Sequence, residues 1–300
     1  MRKVAVILNR RSGGLAGQPQ ADPEKLIADL FRQYAVAAVV RSCDSSEIAA
    51  ATEECLRVNP EAIVAAGGDG TINAVANVLA ERKIPLGIIP LGTYNHFAQD
   101  LGLPLDTNEA VLAICHGTSK PVDIAEVNGH FFVNNSSIGA YPHAVEERKR
   151  GETVWNKRFS MLWAALKILF RKPLIHVQIC LHGREFSRLT PFVFIGNNHY
   201  SSSLRSGEHR DRLDSGTLCL FTVQWRGFFN LLKLLFQGWR GRLASASEFG
   251  TWSACEVQIL THKPSLRVAA DGEVMRLPTP LRYVIHPGGL HVILPEGASA

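Results

Sequence analysis

None of the six cysteines, Cys43, Cys55, Cys115, Cys180, Cys219 and Cys255, falls in a C-x-x-C pair or at a zinc-like Cys/His spacing. A disulfide framework and a structural zinc site are therefore not expected, and the thiols read as small buried hydrophobes of a reducing compartment. Eleven histidines supply no H-E-x-x-H and no other metal spacing. No segment approaches the ~18 uninterrupted apolar residues of a membrane-spanning helix. The opening MRKVAVILNR has a basic flank, but its apolar run is only VAVIL, which reads as a first strand and not a signal peptide. Repeats and low-complexity tracts are missing, and so is a G-K-[ST] phosphate loop. A net charge of +5 is too small to argue for nucleic acid, though it tolerates nucleotides or acidic membrane surfaces. A cytoplasmic protein without a nucleic-acid partner is the expectation.

What is present is an ordinary globular composition, 46% hydrophobic and 20% charged over 300 residues, enough for two domains. Residues 1–121 alternate strand and helix. KVAVILN, VAAVVRS, AIVAAGG and PLGIIPLG read as strands, and DPEKLIADLFRQY carries Leu26, Ile27, Leu30 and Phe31 at helical spacing. DSSEIAAATEECLRV reads as a helix opened by an Asp or Ser cap, TINAVANVLAER as another, and TNEAVLAICHG as a further one after Pro104. This rhythm predicts an α/β domain with a parallel sheet. From 122 to 300 the pattern becomes antiparallel β, with strands around Asn128-Gly129, His182-Gly183, Asp271-Gly272 and Pro287-Gly288-Gly289. Two helical inserts are expected near 155–171 and 226–240, and the last residues read as a tail.

Three strand ends of the first domain carry small, flexible residues. Asn9-Arg10-Arg11-Ser12-Gly13-Gly14 follows the first strand, where a plain turn and an anion-binding turn are equally good readings. Gly67-Gly68-Asp69-Gly70-Thr71 leads into a helix; a dinucleotide fingerprint fails there at Asn73. Three glycines in four residues point to something approaching the backbone closely. Pro90-Leu91-Gly92-Thr93-Tyr94-Asn95 ends the next strand, and open parallel sheets bind ligands beyond such ends. In the second domain Asp271-Gly272-Glu273 is by default a hairpin turn; two acids beside a glycine could equally present a general base and a metal partner to a cleft.

Taken together, GGDGT at 67–71, PLGTxN at 90–95, N-x-x-SGG at 9–14 and DGE at 271–273 resemble the diacylglycerol kinase catalytic-domain family, which includes bacterial lipid kinases and sphingosine and ceramide kinases. The match runs in order along nearly the whole chain; GGDG alone is shared with NAD kinases and phosphofructokinases. The resemblance implies an α/β N-terminal domain of NAD kinase/phosphofructokinase type holding ATP, and a C-terminal antiparallel β-rich sandwich holding lipid. The γ-phosphoryl group would pass to the hydroxyl of diacylglycerol or a similar lipid. By matching motif, Asn9, Ser12, Gly13, Gly67, Gly68, Gly70, Thr71 and Asn73 would contact nucleotide, with Thr93 and Asn95 nearby and Arg41 or Ser42 as a further candidate. Asp271 and Glu273 match the place of the general base, Glu273 being favoured, and Asp69 would help to organise Mg²⁺. Family members often bind a structural divalent ion through a D-D-G stretch; DRLDSGTL here has Ser215 in place of that Asp and Asp214 one residue off, which makes Asp214 the candidate ligand.

WNKRFSMLWAALKILFRK (155–172) and WRGFFNLLKLLFQGWRGR (225–242) mix rings, aliphatics and cations. Such helices either lie in a membrane interface or cover the β-sheet with cations at the rim. A lipid kinase working without a membrane anchor implies peripheral contact with the inner face of the membrane; oligomerisation stays open. Two rivals remain at this level: a soluble kinase of the NAD kinase type, and a non-catalytic lipid- or nucleotide-binding regulator on the same fold.

Overall fold

The structure is a computed structural model, and it describes residues 3–12, 22–139, 174–200, 210, 212–224 and 249–297. Gly13 and both aromatic–basic inserts lie outside the described residues.

Four parallel strands, β1 (Lys3–Asn9), β2 (Ala37–Cys43), β3 (Ala62–Gly67) and β4 (Leu86–Pro90), stand in the order β2-β1-β3-β4. Every residue of β3 and β4 is buried, because helices on both faces leave no side of the sheet to water. The helices are α1 (Pro23–Gln33), α2 (Ile48–Leu56), α3 (Asp69–Leu79), α4 (His96–Asp100) and α5 (Thr107–His116). Alternate strand residues feed two cores. Ile7 and Ile63 pack with Val75 and Leu79 of α3, while Val6 and Val64 pack with Ile27 and Phe31 of α1. The sequence signals for α1 hold: the Asp22 side chain accepts the Glu24 N–H, and Pro23 occupies a first-turn position that needs no donor. The cap expected for α2 does not form. Asp44 to Glu47 make their own turn, in which Glu47 N–H bonds the Asp44 carbonyl and the Glu47 carboxylate takes the Asp44 N–H. The helix then begins at Ile48 without a side-chain cap.

The remaining strands are β5 (Thr118–Val127), β6 (His130–Phe132), β7 (Asn135–Gly139), β8 (Ile175–Leu181), β9 (Arg184–Thr190), β10 (Phe192–Asn197), β11 (Leu218–Val223), β12 (Phe249–Ala254), β13 (Glu256–Leu260), β14 (Ser265–Ala270), β15 (Glu273–Pro278) and β16 (Leu281–Leu294). Asn128-Gly129, His182-Gly183 and Asp271-Gly272 all have positive φ at both positions, as type I′ hairpins require. Pro287-Gly288-Gly289 is different. The turn expected there is a bulge inside the single 14-residue strand β16. β5 pairs with both halves of β16 and the register shifts between His286 and Leu290, so the glycines absorb a bend instead of reversing the chain.

β16 also joins β4 in parallel through Val292 and Leu86. The result is one ten-stranded mixed sheet, β2-β1-β3-β4-β16-β13-β8-β9 with β5 and β6 alongside, that runs through both halves of the chain. A separate six-stranded antiparallel sheet, β12-β11-β10-β7-β14-β15, faces its second half. Ile138, Val193, Leu220 and Val268 of the smaller sheet pack between the layers with Val177, Ile179, Val257 and Tyr283 of the larger. The parallel α/β region followed by an antiparallel sandwich is thus the expected fold class. The position 121/122 falls inside β5, whose pairing with β16 is continuous on either side of it.

Candidate active site

Because β1, β3 and β4 are parallel neighbours, their C-terminal ends lie side by side, and Gly67 pairs directly with Pro90. The two glycine-bearing loops that follow are pressed together. A Cβ on Gly92 would sit 2.5 Å from the Gly68 Cα and 2.7 Å from Asn95 Oδ1. Asn95, at φ 51°, closes the second loop on itself: its Oδ1 accepts the Gly92 N–H at 3.0 Å and its Nδ2 donates to the Gly92 carbonyl at 2.9 Å. A Cβ on Gly67 would strike Thr71 Oγ1 at 2.4 Å, whereas one on Gly70 would meet nothing within 4 Å. Gly67, Gly68 and Gly92 therefore serve the protein's own packing. Gly70 borders open space at the N-terminus of α3, where the first-turn N–H groups have no carbonyl partners within the helix.

That difference is testable. Gly92→Ala should drive the two loops apart and lower the melting temperature. Gly70→Ala should melt as the wild type does, read by thermal unfolding. Equal losses of stability in both variants would contradict the assignment.

Several sequence candidates have partners inside the protein. Asn9 donates from Nδ2 to Thr71 Oγ1 at 2.9 Å and to Ser45 Oγ at 3.3 Å, tying the end of β1 to the start of α3. Thr71, Asn73 and Asn95 are buried. Asn73 accepts from Asn77 Nδ2 at its side-chain and main-chain oxygens. These groups shape the loops and leave the exposed Thr93 and the half-buried Ser12 at the surface of the site. Ser42 turns its carbonyl to Arg10, and Arg41 pairs with Glu54 of α2.

Asp69 is the half-buried first residue of α3, and its Oδ1 accepts the Phe97 N–H of α4 at 3.4 Å. An acid fits the positive end of one helix, and here the carboxylate also meets the first turn of a second.

The Asp271-Gly272-Glu273 turn is held to the first domain by a chain of polar contacts. Asn77 of α3 bonds both main-chain groups of Phe131, its Nδ2 to the carbonyl at 2.9 Å and its Oδ1 from the N–H at 3.0 Å. Phe131 leads into the crossover from β6 to β7. There the Asp271 carboxylate accepts the N–H groups of Val133 (2.7 Å), Asn134 (2.9 Å) and Asn135 (3.0 Å). Burial pushes the Asp271 carboxyl up to about 6 against the pull of those three donors. Glu273, two residues on, opens β15 and is exposed.

Beneath the crossover lies a cluster that the sequence signals missed. Buried Arg210 pairs with Asp100 at 2.7 Å and donates to the carbonyls of Val133 and Asn197 and to Asn134 Oδ1. Its guanidinium also lies over the Phe97 and Tyr200 rings. Signals were available for the Asn134-Asn135 pair and for Gly196-Asn197-Asn198-His199-Tyr200, which reads as a polar loop or the lining of a cleft; Arg210 and Asp100, as single buried polar residues, leave no periodic trace.

At the expected structural-ion stretch, Asp214 forms a two-pronged pair with Arg212 at 2.9 and 3.2 Å, which holds its carboxyl below the usual range. Ser215 donates its hydroxyl and its N–H to Asn198 Oδ1. The buried Asp123 accepts the N–H groups of Gly216 and Gly288, joining this stretch to the β16 bulge. Among the described residues no group of three or more His, Cys, Asp or Glu side chains could hold a metal ion by itself.

Residues 3–127 match the model of the diacylglycerol kinase catalytic domain. The chain is 42% identical over 147 residues to a diacylglycerol kinase of Bacillus subtilis, covering 46% of each. It is 36% identical over 155 residues to a probable lipid kinase YegS-like of Pectobacterium atrosepticum, covering 48% of this chain and 50% of the relative. The matched stretch thus spans about half the length of these curated relatives. A solved diacylglycerol kinase structure from Bacillus anthracis superposes with a TM-score of 0.68 over 99% of this chain and 98% of that one; at 23% identity it shows the fold. The likeness read from the first three motifs stands for residues 3–127, which are similar to a diacylglycerol kinase catalytic domain.

Proposed function

We propose that this chain, whose residues 3–127 are similar to a diacylglycerol kinase catalytic domain, transfers the γ-phosphoryl group of ATP to the hydroxyl of diacylglycerol or a similar lipid. The observation that supports it most is the meeting of the C-terminal ends of β1, β3 and β4, with Gly70 open to solvent and Asp69 beside it. Such a surface offers backbone donors for the phosphates and a carboxylate for the cation that accompanies them.

Mg²⁺ fits this arrangement. The ion commonly takes one or two carboxylates together with substrate phosphates and water, so it needs no all-protein cage. Asp69, half-buried and carrying one long hydrogen bond, would hold it, and the bound ion would neutralise phosphate charge during transfer. Asp214 is the weaker ligand candidate, since Arg212 already occupies both of its oxygens.

The protein's own share is positioning and proton transfer. Glu273 is the proposed general base, being exposed beside the turn. A carboxyl raised to about 6 would also suit a base. Asp271, however, has three of its roughly four lone-pair positions filled by main-chain N–H groups. Its role is to hold the crossover, and with it the base, in register with α3. Glu273→Gln should therefore abolish turnover with an unchanged melting temperature, whereas Asp271→Asn should lower both.

The lipid acceptor places the work at a membrane surface reached from the cytoplasm, and no helix among the described residues is long and apolar enough to cross the bilayer. The reading is tested with radiolabelled ATP, Mg²⁺ and diacylglycerol mixed micelles beside NAD. Label should enter the organic phase. Label in NAD would instead identify a soluble kinase, and ATP binding without any transfer would identify a regulator.

A further inference from the structure

At the far side of the sandwich, β9 is the last strand of the larger sheet and β12 the last of the smaller. Between these edges lies a cavity of about 550 Å³ lined by Leu181, His182, Arg184, Phe186, Arg188 and Trp252. Arg184, Phe186 and Arg188 alternate along β9 and so share one face, and Leu181 stands opposite Arg184 in the β8–β9 register. The Phe186 and Trp252 rings stack at 4.8 Å and 30°. The Arg188 guanidinium lies over both, 5.5 and 5.6 Å from their centroids. Its Nη1 donates to Gln224, but its Nε is buried without a hydrogen-bond partner. No carboxylate is among the described lining residues.

An inward-pointing cation on an edge strand also discourages pairing with other chains. That reason covers Arg184, which is exposed. It does not cover a guanidinium pressed onto two rings with a donor left unpaired, because a buried orphan N–H costs its full desolvation. An acceptor in the cavity would meet the guanidinium that Arg188 presents there and not its buried Nε, and the surroundings describe what carries it. Two arginines and a histidine call for an anion. The stacked rings and Leu181 call for an apolar body behind it. The volume lies within the ~300–1,000 Å³ range of small-molecule pockets and exceeds what a lone inorganic anion would fill.

We propose that this cavity binds the phosphate headgroup of an anionic amphiphile, the phosphate reaching Arg184 and Arg188 and the glycerol and first acyl carbons lying against Trp252 and Leu181. The site is separate from the transfer site. In the smaller sheet β12 is four strands from β14, which carries the Asp271 turn, or roughly 19 Å at the usual strand spacing. Its task is to hold the protein on an anionic lipid surface, and it requires neither ATP nor turnover.

The test uses the full chain without nucleotide. Titration calorimetry should show binding of dihexanoyl phosphatidylglycerol, added below its micelle concentration, and none of glycerol 3-phosphate or inorganic phosphate. Arg184→Gln and Arg188→Gln should each weaken that binding, and flotation with phosphatidylglycerol vesicles, by about fivefold. Arg188→Lys, which keeps the charge but loses Nε, should fall between. If Arg188→Gln fails to fold, Arg184→Gln carries the test alone. Unchanged binding in the Arg184 variant, or equal binding of glycerol 3-phosphate, overturns the proposal. Because no step involves phosphoryl transfer, failure of the kinase reading would leave these measurements intact.

Discussion

Asp69→Asn is expected to lower kcat by roughly 10²–10³-fold, the loss typical when one group aimed at developing charge is removed, while the melting temperature stays within ~2 °C of wild type. The amide is isosteric and keeps an oxygen for the Phe97 N–H, so the junction between α3 and α4 survives. What disappears is the charge. Asp69→Ala removes both charge and acceptor, and should lose the same activity together with a modest share of stability, about 1 kcal/mol for one hydrogen bond. Comparing the two separates a structural acid from one that manages a cation. If the Asn variant turned over lipid at near-normal rate while the Ala variant did not, Asp69 would be a cap for α4 and nothing more. A raised Mg²⁺ requirement in the Asn variant, read as a shift in the Mg²⁺ concentration for half-maximal rate, would support the assigned role.

The parts of this molecule that were legible in the sequence are those whose cause is local. A buried parallel strand is a short apolar run, and Asn-Gly, His-Gly and Asp-Gly adopt their turns because two adjacent residues accept positive φ. The loops after β3 and β4 were readable as clusters of glycine and polar residues at strand ends. Pro287-Gly288-Gly289 misled because the same composition makes a turn or a bulge, and the choice belongs to β5, some 165 residues away at Asp123. The glycines of GGDGT were read as one phosphate cradle, yet only Gly70 faces open space; Gly68 is spoken for by Gly92. No local pattern could reveal that contact, since it depends on which strand lies next to β3.

Least legible was the junction that sets the two halves of the site against each other, and Arg210 is where it is weakest to attack. Arg210→Met is expected to lower the unfolding free energy by about 3–5 kcal/mol, the usual cost of removing one member of a buried ion pair. In a chain of this size that is a fall of roughly 10 °C in melting temperature. Both side chains of the pair are almost wholly buried, at 0% and 3% exposure for Arg210 and Asp100, so solvent does little to replace the lost guanidinium. The same substitution removes the donors to Val133, Asn197 and Asn134. These surround the crossover that Asp271 grips from the other side. Activity should consequently fall further than stability alone explains, even at temperatures where the variant is folded, because Glu273, the proposed base, would lose its position relative to α3. Asp100→Asn combined with Arg210→Met should recover part of the stability, since the buried charge is gone, and none of the activity, since the crossover contacts are not restored. Recovery of both would mean that the ion pair matters only to the first domain. A single variant within 1 kcal/mol of wild type in urea unfolding would mean that the junction is held elsewhere.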